Sequence, residues 1–168
     1  MPQPMPVVRQ VYWPGLIPQF IAIAALSIAV RLSFSTATIL DALFGGAIIY
    51  LAVCRLLRWT LVRDHTQGMA AYRAGQFRDA ISHFEASHRF FCAHPRLDAW
   101  RSLVFGVASK NPYRIIALGN MAYCYGQLGD GPKAIELYEQ VLREAPDHTL
   151  AKASLNLLRA VATSKEPA

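Results

Sequence analysis

The chain has little of what marks an enzyme or a disulfide-held domain. Its 168 residues contain three cysteines, Cys54, Cys92 and Cys124, scattered singly and with no CxxC pair. That excludes a disulfide framework and fits a reducing compartment. P-loop, HExxH, nucleophile-elbow and Gly-rich dinucleotide motifs are all missing. Ser102 and Ser109 have no His–Asp constellation at a workable spacing, so neither catalysis nor a cofactor is expected. His83, His88, Cys92 and His94 are the one cluster of metal-ligand types. At about 100° per residue His88 and Cys92 share a helical face, while His83 points elsewhere and His94 lies past the helix end. A four-ligand site would need a bend there, and no metal is expected. No basic run or aromatic stacking array occurs either. Nucleic acid is therefore not an expected partner, although the net charge is +6 and the pI about 9.5.

What is present is apolar and unevenly placed. Hydrophobic residues make up 54% of the chain and the mean hydropathy is +0.23, with the excess in the first third. Residues 1–14 hold four prolines and close on Tyr12 and Trp13, an irregular segment with an interfacial aromatic anchor. Gly15–Val30 carries no charge and, with Arg31 and Leu32, approaches the roughly 20 residues that cross a hydrocarbon core. After a short polar connection, Ala37–Leu57 forms a second such run, with Asp41 at its entry and Arg55 at its exit. Gly45–Gly46 permits close approach of another helix. Residues 15–58 are thus expected to be a transmembrane hairpin. Arg9, Arg55, Arg58 and Arg63 lie on one side and Arg31 on the other, which directs both termini to the cytoplasm. No Gly or Pro interrupts Cys54–Gln67, so the second span is expected to run on unbroken into the next helix.

The remainder alternates at helical period. In Asn120–Pro146, Met121, Ala122 and Tyr125 share one face. Gly126, Gly129 and Gly131 break the pattern, Pro132 suits a first helical turn, and Ala134, Ile135, Tyr138, Val141 and Leu142 form a second stripe. Gly75, Ala80, Ile81 and Phe84 stand 54 residues before Gly129, Ala134, Ile135 and Tyr138, and Gly68 pairs likewise with Ala122. This order of small and large residues resembles the tetratricopeptide repeat, a helix–turn–helix unit of about 34 residues. Two departures are Gly131, where an aromatic is usual, and Val141, where a small residue is. The resemblance implies repeats at about 61–94 and 115–148, with residues 95–112 as an insert of roughly 20 residues. The insert carries Trp100, Leu103, Val104 and Val107 on one helical face, expected to pack against the repeats rather than rest on headgroups. A capping helix is expected at 150–162, with Leu150, Ala153, Leu157, Leu158 and Val161 as its apolar stripe, before a tail at 163–168.

The expected fold is therefore all-α: two N-terminal transmembrane helices, then a small tetratricopeptide-like α-solenoid (residues 59–162) ending in a capping helix. The family's first helices line a groove, which the resemblance places at His65, Met69, Tyr72 and Arg73 of one repeat and Ile116, Asn120, Tyr123 and Gln127 of the other. Aromatic, amide and guanidinium groups suit a peptide or helix laid across them. Gly119 and Tyr123 occupy positions where the family's carboxylate clamp uses Lys and Asn, so that subtype is not expected. The implied function is a membrane-anchored adaptor that docks a protein partner. The alternative is a structural accessory subunit held in a larger membrane complex mainly by its hairpin.

Overall fold

The structure, a computed structural model, describes residues 12–34 and 38–164, and these are all-helical with no strand. Expectations for residues 1–11, 35–37 and 165–168 fall outside the described residues. The chain divides into two compact units, residues 1–59 with 99–110, and residues 60–98 with 111–168.

In the first unit a 3₁₀ turn, Trp13–Leu16, leads into α1 (Ile17–Ser33). Pro18 falls in the first helical turn, where its missing N–H is tolerated. Helix α2 spans Ile39–Leu61. At its start the Thr38 hydroxyl accepts from the Asp41 N–H while the Asp41 carboxylate accepts from the Thr38 N–H, a reciprocal cap. Trp13–Ser33 and Ile39–Leu61 have mean hydropathies of 1.8 and 1.9, and both are long and apolar enough to cross a membrane. The buried residues of α2 recur every fourth position, at Ala42, Gly46, Tyr50 and Cys54. At Gly46 the helices touch: a Cβ there would run into the Ser27 hydroxyl and stand 2.8 Å from its Cα. The Ser27 hydroxyl itself donates to Ile23 O at 2.8 Å, so no polar hydrogen is left unpaired at this contact.

In the second unit, α3 (Arg63–Arg73), α4 (Phe77–Ala93), α7 (Tyr113–Gln127), α8 (Gly131–Glu144) and α9 (Thr149–Ser164) each pack against the next. In sequence, two short helices separate α4 from α7: α5 (Pro95–Ala99), and α6 (Arg101–Phe105), which belongs to the first unit. The expected unbroken run from α2 does not occur. Val62 leaves helical geometry at φ −105° and ψ 15°, and α3 starts at Arg63. The Thr66 hydroxyl donates to the Val62 carbonyl alongside the Thr66 N–H, both at 3.0 Å, and such back-bonding bends helices.

The two helical hairpins match atom for atom at their turns. Gly75 has φ 74° and Gly129 φ 83°. Gly75 N–H donates to Tyr72 O and Gln76 N–H to Ala71 O; Gly129 N–H donates to Gly126 O and Asp130 N–H to Tyr125 O. Each is a Schellman C-cap, and the left-handed position requires glycine. Asp130 then accepts from Lys133 N–H at 3.0 Å to begin α8. The core gathers around Phe84, Leu118, Met121, Ala122 and Tyr138. Gly68 lets α3 lie directly on Phe84, whose ring would be 2.8 Å from an added Cβ.

Of the stripe expected on α9, Leu158 packs against the core, but the most buried residues are others. Ala151 and Leu155 are buried, whereas Leu150, Leu157 and Val161 are exposed. The small Ala151 allows close approach to α8, which bulkier leucines would block.

Candidate functional site

Side chains of α3, the start of α4 and α7 converge on one face of the second unit. The rings of Tyr72 and Tyr123 stand 5.3 Å apart and tilted by 53°. Phe77 closes the group, edge-on to both at 6.3 Å. Beside them the Asn120 amide donates to the Met69 sulfur at 3.4 Å. Met69, Tyr72, Phe77, Ile116, Asn120 and Tyr123 are all half-buried, and Arg73 and Gln127 are exposed at the ends of α3 and α7. Of the eight residues expected along a groove, these contacts join Met69, Tyr72, Asn120 and Tyr123, while Arg73, Ile116 and Gln127 each stand one helical turn from one of them. The Tyr72 hydroxyl is held above its ordinary pKa, first by burial and then by neighbouring Tyr123, so it stays a neutral hydrogen-bonding group.

His65 is placed differently from its expected position. It is 8% exposed, packs 5.6 Å from Phe84 and 4.9 Å from Tyr113, and shares a 3.3 Å hydrogen bond with Ser87. The reason lies three residues on. Gly68 shares His65's helical face and is pressed against Phe84, so His65 must face inward too. Burial pushes the imidazole down to about 4.

Two contributors had not been singled out for this site. Phe77 stands 54 residues before Gly131, at the equivalent position after the first hairpin's turn, so the 54-residue offset carried a usable signal. Asp98 is fully buried and accepts from Tyr113 N–H at 2.7 Å and Arg114 N–H at 3.2 Å. It thereby caps α7 and fixes the helix bearing Asn120 and Tyr123. Fifteen residues separate it from Tyr113, so no local capping pattern reveals it.

The histidine–cysteine cluster disperses. His83 lies 3.9 Å from Asp64, His88 meets Arg114 O at 3.1 Å and Cys92 Sγ at 3.4 Å, and His94 stacks on Phe90. Among the described residues no group of three or more His, Cys, Asp or Glu could hold a metal.

The insert also departs from expectation. Ala99–Lys110 belongs with the apolar helices of the first unit. Tyr50 in α2 donates its hydroxyl to Leu103 O at 2.9 Å, and Tyr12 N–H donates to Ala108 O at 3.0 Å. An apolar stripe alone cannot show which surface will cover it; here polar pairing from Tyr50 and Tyr12 decides.

Comparison with family models, with curated proteins and with solved structures gives no match.

Proposed function

We propose that the protein is a membrane-anchored adaptor, with a tetratricopeptide-like stack that docks a protein partner on the Tyr72–Tyr123 face. The observation that carries this reading is that face itself: three aromatic rings, a thioether and an amide, half-buried and rimmed by Arg73 and Gln127. Aromatic rings held rigidly by a core make contact area at low entropic cost, and the amide and guanidinium add direction. The matching turns at Gly75 and Gly129 support the family reading. The two apolar helices support anchoring, and the arginine distribution favours a cytoplasmic stack with both termini on that side.

The test is affinity capture of the detergent-solubilised full chain beside a Tyr72→Ala/Tyr123→Ala variant. An adaptor loses its partner in the variant while remaining folded. If the variant retains every partner, binding resides in the hairpin and the accessory-subunit reading replaces this one.

A further inference from the structure

We propose that Ala99–Lys110 is a membrane-interface element, seated in the phospholipid headgroup layer at one end of the apolar helices. The inference rests on the reading of those helices as spans and adds a second lipid-contacting segment, from a distant part of the sequence.

The segment meets the first apolar run at its start and α2 along its second half. A Cβ on Gly15, the first residue of the uncharged run, would lie 3.5 Å from Ser102 Cβ. On α2 it meets Tyr50 and Cys54, and Arg55 follows immediately. Its irregular backbone is paired from within the protein. Tyr50 Oη donates to Leu103 O at 2.9 Å and to Ser102 O at 3.3 Å. The Arg101 guanidinium donates to Ser109 O at 2.7 Å and to Lys110 O at 2.9 Å. Tyr12 N–H covers Ala108 O. Non-helical backbone near hydrocarbon is stable only when its polar groups find such partners.

The outward side carries the opposite chemistry. All three tryptophans of the chain belong to this unit, and Trp13, Trp59 and Trp100 are 73%, 74% and 59% exposed. Indoles at the ends of apolar helices suit the water–lipid boundary, where the ring is shielded and its N–H stays wet. Trp13 opens the turn before α1, Trp59 lies in the last turn of α2, and Trp100 brings the third indole from the docked segment.

The experiment uses the full chain as Trp13→Phe/Trp59→Phe, so that Trp100 is the sole fluorophore, reconstituted in phosphatidylcholine vesicles carrying a nitroxide at shallow or deep acyl positions. Flotation with the vesicles is measured on the same samples. The expected result is flotation, with Trp100 emission blue-shifted and quenched more by the shallow label. Flotation with no quenching, or with stronger deep quenching, overturns the interfacial placement and leaves the spans standing. Absence of flotation overturns the span reading, and the proposal with it. Tyr50→Phe, added to the same background, should lose shallow quenching while flotation persists. Unchanged quenching would overturn the part assigned to Tyr50 in seating the segment.

Discussion

His65 of α3 stands edge-on to Tyr113 of α7 at 4.9 Å, with their ring planes at 76°. The contact joins the first helices of the two hairpins through one buried imidazole, which Ser87 alone hydrogen-bonds among the contacts described for it. Because burial lowers its pKa from 6.5 to about 4, the folded chain resists protonation there and the unfolded chain does not. The unfolded state therefore binds more protons between those values, and stability falls as the pH drops through that window. At about 1.4 kcal/mol per pH unit, the full loss is roughly 3 kcal/mol. Chemical denaturation of the detergent-solubilised chain at pH 7 and pH 4.5 checks this. His65→Gln should flatten that pH dependence, whatever it does to stability at pH 7.

The two close-packing glycines predict different kinds of loss. Gly68→Ala forces a Cβ to 2.8 Å from the fully buried ring of Phe84 and should cost about 1–3 kcal/mol by overpacking. Gly75→Ala meets nothing within 4 Å but holds alanine at φ 74°, which should cost about 1–2 kcal/mol of backbone strain. Shortening the obstacle as Phe84→Leu should relieve the first variant and leave the second unchanged. Thermal denaturation of the single and double variants reads the difference.

Much of this was legible in the sequence, for identifiable reasons. Glycine at a left-handed turn and small residues at a tight crossing are dictated by sterics, so Gly75, Gly129, Gly68 and Ala122 mark the hairpins directly. Helical period also exposed the apolar stripes of α4, α7 and α8. Three features depended on tertiary choice. His65 sits on a face whose direction is fixed by Gly68, α9 had two apolar stripes available, and the insert could cover either of two surfaces. The break at Val62 carries no proline or glycine, so breaker residues could not show it.

Asp98 holds the start of α7 from a distance. Asp98→Ala should leave the Tyr113 and Arg114 amides without their carboxylate and cost about 2 kcal/mol. Hydrogen exchange should quicken first in the opening turn of α7, before the helix as a whole unfolds. Exchange that quickens equally in α8 and α9 would instead mean that Asp98 supports the entire stack.

The three thiols should separate cleanly. Cys92 is exposed, whereas Cys54 and Cys124 are buried, and burial pushes the Cys124 thiol up to about 12. A maleimide at neutral pH should modify Cys92 alone in the native protein and all three after denaturation. Cys92 should itself react slowly, because partial burial and the Glu144 charge raise its pKa despite Arg114. Mass spectrometry of the labelled peptides gives the order.

The claim that the Tyr72–Tyr123 face grips another polypeptide is tested most directly by photo-crosslinking in cells. A photoreactive residue is placed at Arg73 or Gln127, the exposed rims of that face, and at Glu85, exposed on α4, as the control. The account predicts a discrete protein adduct from both rim positions, abolished by Tyr72→Ala/Tyr123→Ala, and none from Glu85. Adducts from Glu85 alone, or rim adducts indifferent to loss of the two tyrosines, would contradict it.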